Sequence, residues 1–128
     1  SLEEQQRWIE ARSGAHAVLV AESDDGEVMG FASLSPFRDR PAYATSVESS
    51  VYIHPDHRGE GVGRKLLAEL IEVASQHGFH TVLARIVQGH ASSIGLHESC
   101  GFELVGTERQ VGRKFGRWLD VVVLQRML

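Results

Sequence analysis

At 128 residues the chain has the length of one domain, enough to bury a core without disulfide or metal staples. A net charge of −4 with both signs interspersed leaves no basic stripe for a nucleic acid. The lone Cys100 excludes an internal disulfide, and no run is long and apolar enough for a membrane span or a signal h-region, so the expectation is a single cytoplasmic domain that does not engage a membrane.

Taken in chain order, Ser1 to Arg12 reads as a helix, with acidic Glu3 and Glu4 near its start and Trp8 and Ile9 turned inward. Ala15 to Ala21 and Glu27 to Leu34 are apolar runs flanking Asp25-Gly26, the pattern of an antiparallel hairpin. Within the second run Gly30 marks a bulge or a close backbone approach. Ser35 to Thr45 mixes prolines, arginines and aromatics and reads as an ordered loop. Ser46 to Ile53 alternates, with Val47, Val51 and Ile53 on one face and Glu48, Ser50 and Tyr52 on the other.

That strand leads into a polar turn, then Gly59, Gly61 and Gly63, then a helix whose Leu66, Leu67, Leu70, Ile71 and Ala74 recur at three- and four-residue steps. Gly78 stops it. Glycines at a helix start let backbone N–H groups approach an anion closely, and the helix terminus adds partial positive charge. Arg58, Arg64 and Lys65 bring cations to the same end. A dinucleotide fold places its glycines differently, and a nucleoside triphosphate loop requires a hydroxyl after Lys65 that this chain lacks. His80 to Val87 reads as a central strand and Ala91 to Cys100 as a short helix capped by Ser92 or Ser93. Phe102 to Val111 and Phe115 to Leu128 form a last hairpin around Gly112 to Gly116. Helix, three strands, helix, strand, helix and two strands make an α/β fold with a mixed central sheet flanked by helices. Seven histidines are scattered, and His54 and His57 lack zinc-type ligand spacing, so no metal is expected.

The R-x-x-G-x-G loop of Arg58 to Gly63, placed between an alternating strand and a cationic helix start, resembles the pyrophosphate loop of the GNAT superfamily of acyl-CoA-dependent N-acyltransferases. Arg40 to Tyr43, Glu48 to Ile53, Ser93 to Phe102 and Gly112 to Val121 extend the likeness to its phosphinothricin and methionine sulfoximine acetyltransferase group. Members of that group usually carry a further strand and helix ahead of the point where this sequence starts. The resemblance therefore implies a GNAT fold without the first strand and helix. Ala15 to Ala21 would then be an exposed apolar edge, a pairing hazard that leads us to expect a homodimer.

The same resemblance implies acetyl-CoA as co-substrate and direct acetyl transfer to the α-amino group of a small amino acid or analogue. It makes Glu48 the general base, where the residue alone reads rather as a solvent-facing carboxylate, and His97 the acid that protonates the departing thiolate, where the alternative is a packed histidine. Backbone groups of Val51, Tyr52 and Ile53 would hold the pantetheine where strands splay at a bulge. Arg58, Gly59, Gly61, Val62, Gly63 and Arg64 would hold the phosphates. His90, where the family usually has asparagine, and Ser93 complete the cofactor set. Arg40, Tyr43 and Lys114 are the candidate contacts for an anionic acceptor. Rival readings are a protein N-terminal or polyamine acetyltransferase, and a non-catalytic acyl-CoA-binding module.

Overall fold

Hairpins between neighbouring apolar runs and a single helical crossover assemble one sheet. The computed structural model describes the backbone of residues 6–12 and the whole of residues 15–128. Among these, seven strands lie in the order β1-β2-β3-β4-β5-β7-β6. They are β1 (Gln6–Arg12), β2 (Val18–Ser23), β3 (Val28–Pro36), β4 (Ser46–Ile53), β5 (Thr81–Val87), β6 (Glu103–Lys114) and β7 (Arg117–Met127). Only the central β4–β5 pair is parallel. A parallel pair needs a long crossover, and α1 (Val62–Gln76) supplies it; α2 (Ala91–Ser99) connects β5 to β6.

The periodic face of α1 is the heart of the core: Leu66, Leu67, Leu70 and Ala74 are fully buried against Leu34 and Val47 of the sheet. Burying each leucine contributes on the order of 2 kcal/mol. The glycine stop holds, with Gly78 at φ +78°. Gly30 fulfils both of its expectations. The β2–β3 register skips a residue beside it, and a Cβ there would lie 2.6 Å from the Tyr52 carbonyl oxygen.

Three expectations are corrected. Residues 6–12 are strand, paired antiparallel with β2, where a helix was read; residues 1–5 of that helix lie outside the described residues. The outer edge of β2 presents unpaired N–H and C=O groups, and an extended neighbour satisfies them where a helix could not. The edge on which the homodimer expectation rested is thus covered. Second, the last hairpin turns on Phe115 and Gly116 alone, both at positive φ (51° and 73°), so its strands run further than the glycines at 112 and 116 suggested. Third, α2 has His90 as N-cap, with no side-chain cap bond, and neither Ser92 nor Ser93 in that role.

Candidate active site

The site grows from a fork in the sheet. β4 and β5 pair only over Ser46↔Thr81, Val47↔Val82 and Glu48↔Leu83, then part, β4 staying with β3 and β5 with β7. The β3–β4 register runs unbroken from Gly30↔Ile53 to Pro36↔Val47, so the strands splay without the bulge anticipated in β4. At the parting Ser49, buried, donates its hydroxyl to the Leu83 carbonyl oxygen (3.4 Å), replacing a lost ladder bond.

Two clefts meet along this fork. The first, about 430 Å³, is walled by Val51, Tyr52 and Ile53 of β4, by the loop residues Arg58, Gly59, Gly61, Val62, Gly63 and Arg64, and by His90 and Ser93 of α2. Every residue assigned to the cofactor from sequence lies on this wall. His57, Ser92 and Leu96 join them without having been singled out. The second, about 280 Å³, lies inside the fork between Ser49, Ser50 and residues 84–87, with His97 at its base, and shares Val51, His90 and Ser93 with the first.

The glycine loop has two physical jobs. Gly59 and Gly61 hold φ near +80°, a backbone that favours glycine, and at Gly59 nothing lies within 4 Å of where a β-carbon would be, which leaves that side of the loop open to an anion. Gly63 is different. A β-carbon there would come within 3.1 Å of Leu96, so this glycine lets α1 and α2 pack closely. With Arg58 and Arg64 on the same wall, the chemistry of the loop fits a diphosphate.

His97 is 3% exposed. Its Nδ1 lies 2.8 Å from the Ser93 carbonyl oxygen, which can only accept, so Nδ1 carries the proton of the neutral ring. Nε2 is buried without a partner. Burial holds the imidazole below its usual pKa of 6.5, although the Ser93 contact works the other way. The ring therefore rests neutral at pH 7 with an acceptor at Nε2, and an acid role at that atom requires that a proton arrive first.

Glu48 is half-buried and lines neither cleft. It stands at the last paired position before the fork, and the next residues on its face, Ser50 and Tyr52, line the second and first cleft respectively. Arg40 and Tyr43 share a separate open depression with Arg38 and Asp39, where Tyr43 meets Phe37 edge-on at 6.0 Å. Lys114 sits at the tip of the β6–β7 hairpin, 5.3 Å over the Phe115 ring, and is brought to none of these places.

A mixed sheet forked at its central parallel pair, with an anion-binding helix start at the mouth of the fork, defines an α/β transferase that takes a phosphate-bearing co-substrate. The chain belongs to the acetyltransferase (GNAT) domain family, whose model matches residues 1–123, and is an N-acetyltransferase. It is similar to an L-methionine sulfoximine/L-methionine sulfone acetyltransferase of Pseudomonas paraeruginosa, 46% identical over 125 residues that cover 97% of this chain and 73% of that protein. Among solved structures it resembles a ribosomal-protein-alanine N-acetyltransferase of Brucella melitensis (51% identity, TM-score 0.85, 88% of this chain and 69% of that one). It also resembles a phosphinothricin acetyltransferase of Sinorhizobium meliloti in complex with AcCoA (44%, TM-score 0.84, 88% and 61%).

Proposed function

We propose that this chain transfers an acetyl group from acetyl-CoA to the α-amino group of a small anionic amino acid or analogue, of the methionine sulfone, methionine sulfoximine or phosphinothricin type. The observation that carries this reading is the first cleft, whose wall joins the glycine loop, two arginines and the fork. The names of the relatives supply the acceptor class. In the reaction the amine nitrogen forms a bond to the acetyl carbon as the C–S bond breaks; the amine gives up a proton and the thiolate takes one.

In this reading Glu48, at the root of the fork, takes the ammonium proton through water along the face it shares with Ser50 and Tyr52. The backbone of Val51 to Ile53, on the side of β4 that β5 has left, supplies donors for the thioester arm. His97 enters the cycle neutral, accepts a proton at Nε2 and can then return it to the thiolate. Arg40 and Tyr43 are the acceptor contacts, with Lys114 reserved for an anionic group of the substrate or of a second copy. We place the protein in the cytoplasm as a homodimer with no resident metal.

Thiol release from acetyl-CoA on addition of methionine sulfone or phosphinothricin tests this directly. Amine-dependent release is expected, and Glu48→Gln should lower kcat about 10²- to 10⁴-fold while leaving acetyl-CoA affinity within twofold. No release with either amine would remove the acceptor assignment. An unchanged kcat in Glu48→Gln would remove the base. The likeness to a ribosomal-protein-alanine acetyltransferase keeps one second reading in view, acetylation of a protein N-terminus, and an alanine-initiated peptide in the same assay separates the two.

A further inference from the structure

The phosphate loop is pinned from outside by a charge bridge that the acetyl-transfer reading leaves unused. His57 ends the short turn Pro55–His57 and lines the first cleft beside Arg58 and Gly59. Its two ring nitrogens face two carboxylates: Nδ1 lies 2.9 Å from Glu60 Oε1, and Nε2 lies 3.4 Å from Glu27 Oε1. Glu60 belongs to the glycine loop itself, between Gly59 and Gly61. Glu27 precedes β3, thirty residues earlier in the chain, on the hairpin that also receives the His54 amide at the Met29 carbonyl.

Both bonds can be donated only by an imidazolium, because a neutral ring carries one N–H and a carboxylate only accepts. We propose that protonated His57 is a positioning residue that clamps the phosphate loop to the β2–β3 hairpin, so that affinity for the co-substrate falls when His57 loses its proton. The inference rests on the acetyl-CoA reading of the cleft.

The two carboxylates act in one direction. Hydrogen bonding to Glu60 and then to Glu27 raises the His57 pKa above 6.5, outweighing the partial loss of water. His54 faces His57 ring to ring at 5.8 Å, with Asp56 3.9 Å from His54, and the cations Arg58 and Arg64, which share the cleft wall with His57, oppose the carboxylates. Loss of the proton frees one of the two carboxylates and leaves an uncompensated negative charge beside the anion-binding loop. The proton that remains is favoured at Nδ1, on the shorter 2.9 Å contact, so Glu27 is the carboxylate released, and the loop keeps its local bond to Glu60 but loses its tie to the β2–β3 hairpin.

The test pairs a histidine-ring NMR titration with calorimetric titration of CoA between pH 6 and 9, in wild type, Glu27→Gln, Glu60→Gln and His57→Ala. Glu27 and Glu60 are exposed, so their isosteric variants preserve the fold. We expect a His57 midpoint above 6.5 that drops in both glutamine variants, and a CoA Kd that rises roughly two- to fivefold across the wild-type midpoint. That rise should move to lower pH in Glu27→Gln and vanish in His57→Ala. A midpoint unmoved by either glutamine overturns the clamp. A midpoint that moves while the CoA profile stays fixed overturns its role in positioning the loop. Wild type that binds no CoA at any pH overturns the co-substrate reading and this proposal together, an outcome distinguishable because the His57 titration is read separately.

Discussion

Two histidines in this molecule are shifted in opposite directions by their surroundings, and the difference is a matter of partners. His97 has a carbonyl at one nitrogen and nothing at the other, in a buried position, so its pKa lies below 6.5. His57 has a carboxylate at each nitrogen, so its pKa lies above 6.5. Their effects on stability therefore fall on opposite sides of pH 6.5. As pH drops below 6.5 the unfolded chain protonates at position 97 and the folded chain does not, so stability is lost down to the folded pKa and then levels off. His57 contributes stability that is complete below 6.5 and is lost as pH rises through its folded pKa. Urea unfolding from pH 5 to 8 should show a steeper acid-side decline in wild type than in His97→Gln, by up to one proton, or about 1.4 kcal/mol per pH unit. Superimposable slopes would mean that burial does not suppress this ring's charge.

At the scale of elements, the glycines separate into those that need space and those that need a backbone angle. Gly30→Ala drives a methyl into the Tyr52 carbonyl oxygen, 2.6 Å away across two paired strands, and should cost about 2–3 kcal/mol. Gly59→Ala meets nothing within 4 Å but forces φ +78° on an L-residue, which should cost about 1 kcal/mol. Denaturant midpoints with an unchanged slope would measure both, and equal costs would contradict the distinction. Helix α1 and the glycine loop were legible in the sequence because their signals are local: leucines at helical spacing, glycines at the first turn. The fork wall was legible through the resemblance. What escaped depends on distant partners. The 6–12 segment takes its structure from the free edge of β2, and His57, besides Glu60 three residues on, meets a second carboxylate at Glu27, thirty residues away. The final turn escaped because Phe115 adopts φ 51°, a conformation that nothing about a phenylalanine announces.

For the whole molecule, the covered β2 edge moves the question of assembly to the other end of the sheet. There β6 is an edge strand among the described residues, and several apolar side chains of the β6–β7 hairpin are exposed. Leu104, Val105, Val111 and Trp118 are each more than half exposed, and Phe115 is 91% exposed at the tip. Exposed apolar side chains along an edge strand favour pairing with a protein partner, and a second copy presents the same edge to pair with. The homodimer proposal therefore stands on this hairpin, and Arg113 stacked 4.5 Å over Trp118 gives the patch a charged border. Light scattering after size exclusion should return twice the 14.1 kDa chain mass at micromolar concentration. Phe115→Asp combined with Val111→Lys should return the single mass with an unchanged circular dichroism spectrum, since aspartate tolerates the left-handed angle at 115. A wild-type chain that runs as a monomer would show that the hairpin faces water or a different partner. Lys114 at its tip would then have no second copy to reach, and its assignment as an acceptor contact would lose its remaining route.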